Sequence, residues 1–475
     1  MTKLTAALST GILLVGCHGK SQEPPAPSQS ATPLAAAVPV DAGSPAAAPA
    51  CAPLDPTKIA PFATCTTKVV KTPPPDIEDE TSSLAPFYRK VAEVERKIAA
   101  RPLRIGMYGD SNLTSDFISG HLRRVLQARW GDAGHGWISL SRPWGSYRHE
   151  DVSTGGMWNL FKQWAPTTHV CPDKEYGFAN MAAESNEIGA AGWAGTTKNE
   201  KAEVGKAVTQ FELHYLKQKN GGSFRVEIDK KEVAVVSTKT EGDAKFELGV
   251  ETFHVDEGPH EIRVFVRGDG KVRIFGTSLD RFPAAFDPEK PGVQLDSLGA
   301  GALNYERLTW VANDVRKPGL VRRNYDLVIL WLGMNVMFVP PNEGYAKSFL
   351  HDLKDALPGV PILIMSPGDT AKDGDTKSDP RIVAVIDQMR KVAKDEGVAF
   401  WDFREAMGGD GAVIGFTKRG LTGEDHIHFG PEGSKLMGDR FLCSFTSGYT
   451  AFVAKNPEAG CRVATDGSGS GRDRK

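Results

Sequence analysis

The sequence predicts an α/β protein, with helices covering both faces of a parallel sheet and a β-sandwich inserted into it. Three observations carry this reading. Short apolar runs at Leu103–Tyr108, Tyr325–Leu332, Pro361–Met365 and Val398–Phe403 suit strands buried on both faces. Helical patterns separate them: Phe117–Trp130 after the first run, and a stripe of Ile382, Val385, Ile386, Met389, Val392 and Ala393 before the last. The first strand–helix pair ends at Trp130, yet the next plausible core strand begins near Gly292, and the gap contains alternating apolar residues.

Taken in chain order, Lys3 precedes an apolar stretch from Leu4 to Gly16, the size of a signal-peptide core and too short to span a bilayer. It ends Leu14-Val15-Gly16-Cys17, which resembles a bacterial lipobox. That resemblance implies a signal peptide over 1–17, lipidation of Cys17 and a membrane partner through the lipid anchor, since several acyl chains hold a protein stably. Residues 18–82 open on a Pro-, Ala- and Ser-rich stretch with few charges and are expected to be a disordered tether. Order is expected from Ser83, where Leu84, Phe87, Val91, Val94 and Ile98 mark one helical face. The α/β domain is then split into 83–130 and 291–462, around a β-rich region at 131–290. Within that region Phe211, Leu213 and Tyr215, a turn at Asn220-Gly221-Gly222, and Phe224, Val226 and Ile228 read as a hairpin. Ile262, Val264 and Val266 alternate again, so the sandwich is expected over about 206–282, after an irregular stretch at 131–205. That stretch holds Trp137, Trp144, Trp158, Trp164 and Trp193, whose faces suit either sugar stacking or a small core. The tail at 463–475 is expected to be disordered.

Composition is ordinary for a globular protein, and a net charge of −2 gives no electrostatic footprint for nucleic acid. Cys51 with Cys65, and Cys443 with Cys461, are sequence-near pairs available for disulfides in an exported chain, which leaves Cys171 over. The sequence leaves the oligomeric state open.

Ser111 follows the first apolar run, and Asp425 and His428 lie three apart near the C-terminus. A serine needs a neighbouring base to act as a nucleophile at neutral pH, and the base needs a carboxylate to fix its tautomer. Ser111, Asp425 and His428 therefore read as a hydrolase triad in that chain order. Ser111 and Asn335, the latter in Gly333-Met334-Asn335, fall just past strand ends, the edge where such sheets place their sites. His426 is two residues from His428, but no third ligand accompanies the pair, so no metal is assigned. Asp369, Asp373, Asp375 and Asp379 lack calcium-loop spacing and read as a solvated surface loop.

Four blocks, Gly109-Asp110-Ser111, Ser297–Ala302, Gly333-Met334-Asn335 and Asp425-x-x-His428, occur in the order that resembles the SGNH, or GDSL-like, hydrolase superfamily. The resemblance covers about 100–131 and 292–446. It implies a three-layer αβα, flavodoxin-like domain and an oxyanion hole made by Ser111, Gly301 and Asn335, with Gly299 competing for the place of Gly301. The glycine block is shortened, and Met334 and Val336 flank the asparagine where relatives carry polar residues. Trp130–Trp137 and Asp296-Ser-Leu-Gly299 resemble the exported peptidoglycan O-acetylesterase group, whose members carry a carbohydrate-binding-like module in the same place. The resemblance implies an envelope esterase, in the periplasm or on the outer membrane, acting on an acetylated polysaccharide such as peptidoglycan with no cofactor. An O-acetyltransferase with the same triad, and a non-catalytic glycan-binding lipoprotein, are the alternatives.

Overall fold

The computed structural model describes residues 51–65, 67–282, 291–337 and 343–461. The expected signal peptide and lipidated Cys17, the tether up to residue 50 and the tail at 463–475 lie outside the described residues. Helix α1 (Ala85–Glu95), strand β1 (Leu103–Gly109) and helix α2 (Phe117–Trp130) open the α/β unit. The inserted strands follow: β2 (Gly136–Ser139), β3 (Val152–Gly156), β4 (Lys162–Trp164), β5 (Ala182–Ser185), β6 (Ala191–Thr196), β7 (Val208–Gln218), β8 (Ser223–Ile228), β9 (Lys231–Ser237), β10 (Phe246–Gly258), β11 (Glu261–Val266) and β12 (Val272–Asp280). The chain then returns through β13 (Val293–Gly299), α3 (Tyr305–Thr309), α4 (Asn313–Arg323), β14 (Leu327–Trp331), α5 (Glu343–Ala356), β15 (Ile362–Met365), α6 (Pro380–Glu396), β16 (Ala399–Trp401), α7 (Phe403–Met407), α8 (Ala412–Thr417) and α9 (Pro431–Lys455).

The parallel sheet has the order β13-β1-β14-β15-β16. Helices α1, α2, α7 and α9 supply the apolar cluster on one face, and α3 to α6 that on the other, giving three layers. From β1 the chain passes outward to β13, then crosses back to β14 on the other flank of β1. Such a reversal opens a crevice at the C-terminal ends of the strands. Ser111, Gly301 and Asn335 all follow strands that border it.

The insertion is a sandwich of two antiparallel sheets, β10-β7-β12-β5-β4 with β2 also on β12, and β3-β6-β11-β8-β9. Phe211, Leu213, Phe224, Val226, Ile262 and Val264 face one another across it, as their alternation requires. Two expectations need correcting. The expected irregular stretch at 131–205 supplies β2 to β6. The expected hairpin across Asn220-Gly221-Gly222 does not form, because β7 and β8 belong to different sheets. The glycines instead carry the chain over the sandwich edge, where a Cβ on Gly221 would lie 2.1 Å from the Thr238 carbonyl oxygen.

The tether expectation also needs correcting, since residues 51–65 and 67–82 lie against the α/β unit. Phe62 packs edge-on to Trp130 and Phe445, at 5.1 and 5.4 Å between ring centres. Glu78 exchanges two 2.9 Å backbone hydrogen bonds with Phe400, covering the otherwise open edge of β16. The disulfides are Cys51–Cys461 and Cys65–Cys443, not the sequence-near pairs. Helix α9 and the segment after it run beside this strap, so three-dimensional proximity overrides spacing along the chain. Cys171 is buried, and burial pushes its thiol up to about 12.

Glu175, on the loop between β4 and β5, is fully buried. Its carboxylate oxygens find no hydrogen-bond donor among the described residues. Burial first, and the nearby Asp314 carboxylate second, push it up to about 8. A carboxyl raised in the folded state contributes stability at low pH and loses it as pH climbs from its ordinary value towards 8. Glu175→Gln is therefore expected to flatten the fall in stability between pH 5 and pH 9 by roughly 2–4 kcal/mol. Melting curves across that range check this, and a slope equal to that of the parent protein would contradict it.

Candidate active site

Strand β1 ends at Gly109, where only glycine fits, since a Cβ there would lie 2.7 Å from the Cβ of Leu113. The chain turns tightly, with Leu113 N–H donating to the Asp110 carbonyl at 3.0 Å, and this turn presents Ser111 at the crevice. Helix α2 starts six residues later, so Ser111 sits on the turn and not on the helix end itself. Ser111 Oγ lies 2.8 Å from His428 Nε2, and His428 Nδ1 lies 2.6 Å from Asp425 Oδ2. A carboxylate can only accept, which puts the imidazole proton on Nδ1 and leaves Nε2 to accept from the Ser111 hydroxyl.

The spacing of Asp425 and His428 has a local cause. Asp425 Oδ1 accepts from the Ile427 and His428 N–H groups at 3.0 and 3.1 Å, folding the loop over its own side chain. Gly423 N–H donates to the His428 carbonyl at 2.8 Å and closes the loop. Burial raises the Asp425 carboxyl, but the hydrogen bonds from His428 and Ile427 outweigh it and hold the group below its ordinary value. Both side chains remain open to water, at 49% exposure for His428 and 48% for Asp425. His426 is not a partner of this site: its Nδ1 is 3.0 Å from Thr417 Oγ1.

Two residues of the first block do work that the motif alone does not announce. Asn112 Oδ1 accepts from the Phe429 N–H at 3.0 Å, tying the Ser111 turn to the histidine loop across 317 residues of sequence. Asp110 is buried, and burial pushes it up to about 6. Its Oδ1 accepts from the Asn112 N–H at 3.1 Å, and its Oδ2 lies 3.3 Å from Asn335 Nδ2. The only sequence signal for either was contiguity with Ser111.

Asn335 stands on a 3-10 turn after β14, with Nδ2 also 3.3 Å from the Leu303 carbonyl. Both contacts are long, so one N–H can be redirected towards a ligand. Gly299 is the last residue of β13, paired with Gly109, and a Cβ on it would meet the Leu113 backbone at 2.6 Å. Gly301 lies beyond the strand end. The N–H groups of Ser111 and Gly301 have no hydrogen-bond partner among the described residues.

Insertion loops complete the walls. Thr167 Oγ1 donates to the Gly301 carbonyl at 2.6 Å, and Arg148 N–H donates to the Thr114 carbonyl at 3.0 Å. Behind them Asp116, His135 and His149 are buried with ligand atoms within 4.8 Å of one another. Arg123 already occupies both Asp116 oxygens at 3.0 Å, and His135 Nε2 and His149 Nδ1 are paired at 3.0 Å. A second cation beside that guanidinium would be repelled, so the cluster reads as a structural joint. The acidic loop differs from its sequence reading too. Asp369 and Asp379 are buried, the first accepting from the Val413 N–H and the second capping α6 through the Arg381 N–H.

Residues 277–436 match the model of the GDSL-like lipase/acylhydrolase family. The matched segment holds Asn335, Asp425 and His428, and the insertion separates it from Ser111. No curated protein sequence matches the chain. Among solved structures, a peptidoglycan O-acetylesterase is 19% identical, aligns over 79% of this chain and 99% of its own, and gives a TM-score of 0.64, which shows a shared fold. A family two carbohydrate esterase from Clostridium thermocellum in complex with cellohexaose is 11% identical over 61% of this chain and 99% of its own, with a TM-score of 0.25. An acetyl xylan esterase is 17% identical over 32% and 81%, with a TM-score of 0.27. With the fold and the family match together, the chain carries a domain that matches the GDSL-like lipase/acylhydrolase family, on a fold shared with a peptidoglycan O-acetylesterase.

Proposed function

We propose that this protein is a cell-envelope serine esterase that removes O-acetyl groups from a polysaccharide, with peptidoglycan the leading substrate. The observation that carries the proposal is the continuous chain Ser111–His428–Asp425, 2.8 and 2.6 Å per link, beside N–H groups with no internal partner. In the proposed reaction Ser111 Oγ attacks the acetyl carbonyl and its proton passes to His428 Nε2. The oxyanion is met by the Ser111 and Gly301 N–H groups and the Asn335 amide, each such donor being worth about 10²–10³ in turnover. The sugar alkoxide departs with the proton from His428. Water, deprotonated by His428, then attacks acetyl-Ser111 and frees acetate. Asp425 keeps Nδ1 protonated throughout.

The half-exposed His428 and Asp425 favour water over a sugar hydroxyl as acceptor. Two disulfides fit an oxidising compartment, consistent with export and with anchoring at Cys17. No helix of the described residues is long and apolar enough to cross a membrane. The substrate class rests on the shared fold with the peptidoglycan O-acetylesterase and is tested directly. Acetate release from O-acetylated peptidoglycan is expected from the protein with its disulfides intact. Any shortened form must keep Cys51, because the strap beginning there is bonded to Cys461. No acetate release, with p-nitrophenyl acetate also uncleaved, would overturn the esterase reading of this site.

A further inference from the structure

Past the end of β13 the chain makes one tight turn, Ala300–Leu303, closed by the Leu303 N–H donating to the Ala300 carbonyl at 3.1 Å. The left-handed backbone conformation falls on Ala302, at φ +55°, and not on Gly301. That is the pattern of a type II turn, whose third position favours glycine because a Cβ is strained there. The commoner type I form reverses the peptide between the two central residues and suits alanine better. The Ala302 side chain is exposed, so no packing of its methyl enforces the strained form. Gly301 is glycine for a different reason: a Cβ on it would lie 2.6 Å from Trp144 Cε2 and Nε1.

Thr167, a residue of the insertion, supplies the hold that the turn lacks. It stands after Pro166 at the tip of a short loop, which the Ala165 N–H closes by donating to the His169 carbonyl at 3.2 Å. Its Oγ1 donates to the Gly301 carbonyl at 2.6 Å. That carbonyl belongs to the one peptide that a type I turn would reverse, so the bond is made only in the strained form. The turn also sets both of the proposed oxyanion donors that lie beyond Ser111. The Gly301 N–H is at its entry, and at its exit the Leu303 carbonyl accepts from Asn335 Nδ2 at 3.3 Å. We propose that Thr167 is a positioning residue that holds the Ala300–Leu303 turn in the form that meets the oxyanion. The insertion then completes the esterase site instead of merely adjoining it. This inference rests on the proposed esterase function.

The test is kcat and KM for p-nitrophenyl acetate in the parent protein, Thr167→Val, Thr167→Ser and the double variant Thr167→Val with Ala302→Gly, with melting temperatures alongside. Valine keeps the shape and removes the hydrogen bond, and is expected to lower kcat about tenfold while KM stays within about twofold. Serine, which keeps the hydroxyl, is expected to recover most of that loss. Glycine at 302 removes the strain that Thr167 opposes, so the double variant is expected to regain most of the parent kcat although the hydrogen bond is still missing. A purely structural contact would show no such rescue. A folded Thr167→Val with kcat within twofold of the parent, or a loss that Ala302→Gly leaves in place, would overturn the inference and leave the esterase reading standing. Should valine melt below the assay temperature, Thr167→Ala decides on the same criteria. Absence of Ser111-dependent acetate cleavage in the parent protein would instead overturn the esterase reading, and this inference with it.

Discussion

Ser111→Ala is expected to lower kcat for acetyl ester cleavage by at least about 10⁴-fold while leaving the melting temperature within about one degree of the parent protein. The asymmetry follows from what the hydroxyl touches. Ser111 Oγ has one hydrogen bond among the described residues, to a half-exposed imidazole, so its removal strands no buried group. The turn itself is held by the Leu113 and Thr114 N–H groups, which alanine preserves. Asp425→Asn should cost less, roughly 10²–10⁴-fold. The amide can still accept the Ile427 and His428 N–H bonds that shape the loop, but it no longer supplies a charge opposite the imidazolium. Steady-state assays on p-nitrophenyl acetate, with circular dichroism melts, measure both effects. Turnover retained within tenfold in Ser111→Ala would place the nucleophile elsewhere.

The contrast between what the sequence revealed and what it concealed is physical. The α/β core was readable because strands buried on both faces must be continuously apolar, as Leu327–Trp331 and Ile362–Met365 are. Ser111, Asp425 and His428 stood out in the sequence because hydrolytic chemistry tolerates few residue types, and the fold brings them within hydrogen-bonding distance of one another. Pairing was not readable. Alternation at Phe211–Tyr215 and Phe224–Ile228 fixes which face is buried, but it carries no information on which strand lies alongside. Strands such as Ala182–Ser185 and Ala191–Thr196 are short and rich in alanine and glycine, so period-2 patterning barely registers in them. The proline-rich strap looked like a tether because its few apolar residues, Phe62 and Val70 among them, cannot build a core alone; they need the surface of α9. Trp144 and Trp137 are indistinguishable by type and neighbourhood in sequence, yet one is half-buried against Gly301 and the other is fully buried.

Asp296→Asn is expected to destabilise the fold by about 3–5 kcal/mol, a fall of roughly 5–10 °C in melting temperature. Asp296 sits in β13 with almost no exposure and accepts from four groups: Arg323 Nε at 2.8 Å, Arg323 Nη2 at 3.0 Å, the Tyr325 hydroxyl at 2.6 Å and the Trp137 N–H at 2.8 Å. One carboxylate therefore joins the insertion, α4 and the approach to β14. Burial raises its pKa, but Arg323 and the hydrogen bonds outweigh this and hold it below the ordinary carboxylate value. A depressed group contributes stability above its unfolded pKa and loses it as pH falls through the folded one, so the pair weakens only in acid. Asparagine keeps the shape but leaves the buried Arg323 with only the longer ion pair to Asp280, at 3.8 Å, to balance its charge. If the cost is that under-compensated charge, Asp296→Asn with Arg323→Met should recover part of it, because Asp280 keeps its hydrogen bonds from Ser278 and Gln294 when the guanidinium is gone. Chemical denaturation of both single variants and the double variant tests this. A single-variant cost below 1 kcal/mol, or a double variant no better than Asp296→Asn, would show that the joint is held by packing. The joint bears on function through position: β13 carries Gly299 to its pairing with Gly109 and sets where Gly301 emerges beneath Trp144. Loss of Asp296 should therefore depress p-nitrophenyl acetate cleavage at temperatures below the melt, with KM moving before the fold gives way.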